Sequence, residues 1–168
     1  YLDLGNHPPS NAFIAVEEIS QEQSFPLEVY LCRDCGLSQL IHVVSASSIF
    51  DDYVYLSSTS KALCDHYQGL VDSTLSDFKI SEGSLIVDIG CNDGSLLDFF
   101  QEKGAITLGI EPTDACFDAQ GKGHVTFNEY LSESVSDMIV QSQGKPDIIT
   151  FTNVFAHIED LGGVLKSL

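Results

Sequence analysis

The run 84–94, SLIVDIGCNDG, brings two acids, two glycines and two small polar side chains into one turn: Asp88, Gly90, Cys91, Asn92, Asp93 and Gly94. Glycine lets a ligand come against the bare backbone, and the helix that follows offers free N–H groups at its start. Glu111 comes 21 residues after Gly90, in GIEPT, with Pro112 behind it. A carboxylate there can accept from both hydroxyls of a ribose diol, which selects an adenosine on an unphosphorylated ribose. A dinucleotide site would carry G-x-G-x-x-G so that a pyrophosphate reaches the helix N-terminus, whereas the order here is G-C-N-D-G. Asp93 would repel a pyrophosphate and suits the ammonium and sulfonium of S-adenosylmethionine, so charge favours that methyl donor over NAD.

Cys32 and Cys35, in LCRDCG, form the second set. Two thiolates at C-x-x-C spacing take two corners of a zinc tetrahedron, and Gly36 permits the tight turn. His7 and His42 could add to them, although each also reads as an ordinary surface histidine. A thioredoxin-like redox pair should open a helix, and the apolar alternation after Gly36 argues against it. Two unligated thiols in a hairpin are the remaining reading. Tyr53 and Tyr55, followed by Ser57, Ser58 and Ser60, could cover a nucleotide or a polar substrate, or could simply pack and cap a helix.

A parallel sheet would bring the first set together. Apolar runs at 85–89, 106–110, 125–127 and 147–151 alternate with helical patterns at 95–103 and 132–141 and with the start of another helix from 159. This alternation predicts a Rossmann-like, doubly wound α/β sheet with right-handed crossovers. Ligands of such sheets bind at the carboxyl ends of the strands, where Gly90, Glu111 and the segment 153–157 all fall. Ahead of the sheet, Leu63, Tyr67, Leu70, Val71, Leu75 and Phe78 have helical spacing over 61–78, with Ser60 as N-cap, and predict a helix docked on it. Residues 1–31 show little periodicity, and Pro8 and Pro9 break any helix there. A hairpin with Cys32 and Cys35 at its tip follows, then a link over 45–58, with Tyr53 and Tyr55 two apart in an extended stretch and pointing the same way. The expected divisions are a zinc-knuckle-like module at 1–46, a linker and docking helix at 47–80, and the Rossmann-like part at 81–168.

The chain has 168 residues, 43% of them hydrophobic, without an apolar run long enough for a bilayer and without a signal-peptide pattern. Five cysteines, an odd number, argue against a disulfide framework and for a reducing cytoplasm. A net charge of −18, from 25 acidic and 7 basic residues, disfavours nucleic acid and membranes as partners. A small molecule is the expected partner. The chain opens without methionine and its sheet stops after a fourth strand, so a piece truncated at both ends is expected. An exposed sheet edge would favour association, but the sequence does not fix an oligomeric state.

The runs LCRDCGLSQL (31–40), IFDDYVYLSSTS (49–60), VDIGCNDGSLL (87–97), GIEPT (109–113) and DIITFTNVFAHIEDL (147–161) occur in the order seen in the sugar C-methyltransferase family. The chain resembles that family, class I S-adenosylmethionine enzymes with an N-terminal zinc-binding module, over most of its length. The resemblance implies that Cys32 and Cys35 are the second pair of a four-cysteine zinc site. It implies that Asp88, Gly90, Asn92 and Gly94, with Cys91 and Asp93 in the same loop, cradle the methionine end of the donor. Glu111, followed by Pro112, would hold the ribose, and Tyr130 would lie against the adenine. Tyr55 and Ser58 would close over donor and substrate, and Asn153 and His157 would line the floor near the methyl. The implied substrate is a nucleotide-linked deoxy-keto sugar, deprotonated beside its carbonyl and methylated on carbon through the enolate. His157 and Tyr55 are the catalytic candidates, His157 because an imidazole takes a proton near neutrality; ordering its own loop is its other possible role. The family's first cysteine pair has no counterpart here, and its later strands, glutamate-histidine motif and C-terminal domain belong beyond residue 168. Transfer to oxygen or nitrogen stays open because such motifs read the donor and not the acceptor. So do a non-catalytic zinc-knuckle and Rossmann binding module and, last, an NAD oxidoreductase.

Overall fold

The computed structural model describes residues 1–50 and 53–168, with Ser47 described by its backbone alone; Asp51 and Asp52 of the IFDDYVYLSSTS run lie outside the described residues. The chain forms two compact units, Tyr1–Tyr55 and Leu56–Leu168.

In the first unit, β1 (Leu2–His7), β2 (Phe25–Leu31) and β3 (Ser38–Leu40) make an antiparallel sheet in that order. β2 and β3 are the expected hairpin, pairing Val29 with Leu40 and Leu31 with Ser38, and the turn between them carries Cys32 and Cys35. β1, which shows little periodicity in sequence, gains its strand form by pairing with β2, Leu2 opposite Val29 and His7 opposite Phe25. The first part of the link, for which the sequence predicts no element, is helical, as α1 (Ala46–Phe50). The cause is local: the Ser48 N–H donates to the Ser45 carbonyl at 3.1 Å and to its hydroxyl at 3.4 Å, an N-cap geometry.

The second unit is built on four parallel strands, β4 (Leu85–Ile89), β5 (Ile106–Ile110), β6 (Val125–Phe127) and β7 (Ile148–Phe151), in the order β6-β5-β4-β7. The helices are α2 (Lys61–Phe78), α3 (Ser95–Glu102), α4 (Ala115–Gly121), α5 (Glu133–Gln143) and α6 (Leu161–Ser167). All five residues of β4 are buried, which is why it reads as a near-continuous apolar run. One side of the core gathers Tyr67, Val71, Ile86, Leu96, Leu97 and Phe100 between α2, α3 and the sheet. The other gathers Leu85, Val87, Ile89, Leu108, Ile110, Val135 and Ile139 with α5. Each large side chain so buried contributes roughly 1.5–3 kcal/mol. Phe78, expected on the docked face of α2, is 69% exposed. The helix stops there because Lys79 turns left-handed at φ 53°, and Ile80 packs against the core in its place. The strand order reverses at β4, with β5 on one side and β7 on the other, and that places a crevice beyond their carboxyl ends. No helix among the described residues is long and apolar enough to cross a membrane.

Candidate functional site

The chain leaves β4 through residues 90–94 and enters α3. Gly90 and Gly94 have φ of 71° and 77°, where side chains are strained. A Cβ at Gly90 would fall on the Val154 side chain, and one at Gly94 would come within 2.7 Å of the His124 ring. The loop is fastened by the N–H groups of Gly90 and Cys91, which donate to the Ile110 carbonyl at 2.7 and 3.2 Å. Cys91 is 3% exposed and packs over Gly109, and burial first, then the charges of Asp88 and Glu111, push its thiol far up; it fills space.

Three acids meet this loop. Glu111, directly after β5 and 6% exposed, accepts from the Asn92 N–H through Oε2 and from the Thr113 N–H through Oε1, both at 2.9 Å. A carboxylate accepts about four bonds, so each oxygen keeps capacity for a further donor. Pro112, half-buried, sits between the two bonded residues. Asp88, at the end of β4, accepts from the Thr150 hydroxyl at 2.6 Å. Burial raises its pKa to about 7; the Thr150 bond opposes the shift and the Glu111 charge adds to it. Asp93, 2% exposed, accepts from the Ser58 N–H at 2.9 Å and from the N–H and hydroxyl of Ser95 at 3.2 and 2.6 Å. Burial works against its charge, but the bonds from Ser58 and Ser95 prevail and hold the carboxyl below its ordinary range. The sequence sets Asp93 opposite a ligand cation; in the structure its carboxylate accepts from the Ser95 hydroxyl and from the N–H groups of Ser58 and Ser95.

The segment after β7 runs alongside. Asn153 is exposed and left-handed at φ 57°, Val154 packs at Gly90, and His157 is exposed in the short turn Phe155–His157, its N–H donating to the Val154 carbonyl at 2.9 Å. Tyr130, three residues past β6, is 49% exposed, and Ser58 is exposed on the turn Ser57–Thr59. The structure thus gathers Asp88, residues 90–94, Glu111 and Pro112 at the tips of β4 and β5, with Asn153 beside them through Val154. Tyr55 belongs to the first unit, with its ring 6.3 Å from that of Tyr53. Sequence reasoning missed Asn128, whose amide donates to the carbonyls of Glu111 and Thr113 at 2.9 Å each and so fixes the acid's backbone. It also missed Thr150. A polar residue at or just past the end of a predicted strand was the available signal for both.

In the first unit, Cys32 is half-buried and Cys35 exposed. The backbone N–H of Cys35, then that of Asp34, then the Cys35 side chain lower the Cys32 pKa and favour the thiolate that binds metals. Structural zinc takes four ligands, and among the described residues no group of three or more His, Cys, Asp or Glu side chains could hold a metal. His7 Nε2 lies 2.8 Å from the Leu4 carbonyl, and His42 stacks on Phe25. The described ligand set therefore does not fit a zinc centre.

Residues 61–168 match a family described as "Methyltransferase domain", and residues 1–50 match one described as "Putative zinc binding domain". C-methyltransferase NovU of Streptomyces niveus is 29% identical over 169 residues, covering 99% of this chain and 40% of NovU. A ubiquinone biosynthesis O-methyltransferase of Acinetobacter baumannii (strain AYE) is 28% identical over 90 residues, covering 51% of this chain and 38% of that protein. The chain spans about two fifths of the length of these curated relatives. Among solved structures, magnesium protoporphyrin IX methyltransferase from Synechocystis PCC 6803 with bound SAM is 22% identical with a TM-score of 0.47, covering 70% of this chain and 59% of that one. The plantazolicin methyltransferase in complex with SAH is 20% identical with a TM-score of 0.47, covering 61% and 39%. The matched stretch 61–168 takes in the whole parallel sheet and every loop at its carboxyl end, and the chain belongs to this methyltransferase-domain family, with the Rossmann-like α/β fold of class I methyltransferases.

Proposed function

We propose that this chain binds S-adenosylmethionine at the carboxyl ends of β4 and β5 and is the donor-binding part of a methyltransferase acting on a small molecule. The observation that carries the reading is Glu111, a buried carboxylate beside the glycine turn, held by two N–H groups and able to accept a further donor on each oxygen. Gly90 adds a cradle that a Cβ would spoil. The charge of Glu111, which also acts on buried Asp88, favours a cationic donor over a pyrophosphate. When bound, the donor supplies an electrophilic methyl on a sulfonium. Glu111 would hold its ribose, Asp88 and the backbone of 90–94 its methionine end, with Cys91, Asn92 and Asp93 shaping that loop. Pro112, Tyr130, Ser58 and Asn153 are proposed to border it.

The acceptor we propose is a nucleotide-linked deoxy-keto sugar methylated on carbon, supported by the likeness to a C-methyltransferase along 99% of this chain and by the NVFAHI and YVYLSS runs. A carbon beside a carbonyl must lose a proton before it can be methylated, and His157 is the candidate to take it. The candidacy of Tyr55 rests on its sequence run alone. Methylation on oxygen is the second reading, supported by the likeness to an O-methyltransferase over 90 residues. A reducing, cytoplasmic setting is supported by five free cysteines.

The test is a calorimetric titration of the 168-residue chain with S-adenosylhomocysteine, run beside NAD. Binding of S-adenosylhomocysteine alone is expected. Binding of NAD, or of neither ligand, would overturn the reading.

A further inference from the structure

We propose that Asn92 and Asp93 are positioning residues: their side chains latch the turn Ser57–Thr59 onto the loop 90–94, and the latch, not a counter-charge to the donor, is what they contribute. The proposal rests on the donor-site reading above. The turn immediately precedes Ser60, whose hydroxyl caps α2 by accepting from the Leu63 N–H at 3.3 Å. The first N–H groups of a short helical turn have no partner within it and must find one elsewhere. Here both find the side chains of residues 35 positions away: the Ser57 N–H donates to Asn92 Oδ1 at 2.8 Å, and the Ser58 N–H to Asp93 Oδ2 at 2.9 Å.

These bonds are sheltered, since Ser57 is 7% exposed and Asp93 2%. The other oxygen of Asp93 holds the first residue of α3 through the Ser95 N–H and hydroxyl. One carboxylate therefore ties together the approach to α2, the glycine loop and the start of α3. The Ser58 N–H and the Ser95 N–H and hydroxyl converge on it, the Ser58 side chain favours its charge as well, and no acceptor faces it among these bonds, so a proton on it would be left without a partner and the ionised form suits the site. Asn92 extends the tie. Its left-handed backbone, φ 52°, lets the amide reach the turn while its own N–H donates to Glu111 Oε2 at 2.9 Å. The order of the turn is thereby passed in two bonds to the acid proposed to hold the ribose.

The two possible roles of Asp93 make different predictions. A counter-charge distinguishes cationic S-adenosylmethionine from neutral-sulfur S-adenosylhomocysteine, whereas a latch treats them alike. The experiment compares the 168-residue chain with Asp93→Asn, Ser58→Pro and the double variant, reading backbone amide exchange at 57–59 without ligand and the dissociation constants of both ligands. Ser58→Pro removes both the N–H and the hydroxyl that Ser58 turns toward Asp93 and leaves the acid intact, so it stands in if Asp93→Asn fails to fold, with Ser58→Ala, which removes the hydroxyl alone, as its reference.

The expected results are exchange about tenfold faster at Ser58 in Asp93→Asn and at Ser57 in Ser58→Pro. Both ligands should weaken together by about tenfold, and the double variant should be no weaker than either single one. As a control, Lys103→Ala, which removes a surface ion pair with Asp72, should leave both affinities unchanged. Unchanged exchange overturns the latch. Weakening of S-adenosylmethionine alone assigns Asp93 as a counter-charge, and a released turn with unchanged affinities reduces the tie to a structural one; either result overturns the proposal. If the parent chain binds neither ligand, it is the donor-site reading that fails, and amide exchange still decides whether the latch exists.

Discussion

Among single residues, Asp88 and Asp93 show how neighbouring acids of one site are driven apart by their surroundings. Both are buried, but one hydroxyl serves Asp88 where two N–H groups and a hydroxyl serve Asp93. The first is raised to about 7 and the second is held low. Because the Asp88 pKa lies above its unfolded value of about 3.9, the native state holds the extra proton between about pH 4 and 7. Its contribution to stability is therefore lost as pH rises through that window and is constant above it. Asp88→Asn keeps the shape and an acceptor for Thr150 without the charge. In urea titrations the variant should gain stability relative to the parent as pH rises from 4 to 7, by on the order of a few kcal/mol at pH 8. Parallel pH profiles would show that the charge of Asp88 is well tolerated. Gly90→Ala tests the cradle. The left-handed backbone costs about 1–2 kcal/mol for a side chain, and the collision with Val154 adds about 1–3 kcal/mol. Adding Val154→Ala should relieve the second cost and leave the first, which equilibrium unfolding of the three variants would separate.

At the scale of the elements, helix starts carry much of the pattern. Ser60, Ser132 and Asp160 cap α2, α5 and α6 by accepting from the N–H three residues on. Ser60→Ala should cost about 1 kcal/mol, read as a lowered melting temperature. The Ser60 cap and the strands β4 to β7 were legible in the sequence because their signals are local: an oxygen beside a helical spacing, an apolar run between turns. β1 was not, since its form comes from pairing with the distant β2, Leu2 with Val29 and His7 with Phe25. Nor was α1, whose cap is hidden among the similar residues of SASS, or the outward turn of Phe78, which follows from the backbone of Lys79. The site divides in the same way. Gly90 and Glu111 were legible because a parallel sheet puts strand tips side by side whatever their loops do. The partners of Asn92 and Asp93 were not, because a bond to an N–H 35 residues away leaves no mark in the local sequence.

For the whole molecule, charge and fold point to the same ligand class. The chain carries a net charge of −18, and its sheet brings Asp88 and Glu111 close enough for the charge of one to raise the pKa of the other. Phosphates are repelled by such a surface and a sulfonium is drawn to it, so the discrimination should be greatest at low ionic strength. In the proposed reading, what converts that general preference into recognition is Glu111, one carboxylate at the reversal of the strand order. The most direct measurement is the dissociation constant of S-adenosylhomocysteine for the 168-residue chain and for Glu111→Gln, which keeps the side chain's length and one acceptor oxygen. With Glu111 holding the ribose, the variant should bind at least about tenfold more weakly while remaining folded. A folded Glu111→Gln chain with an unchanged dissociation constant would contradict the assignment of this site to the methyl donor.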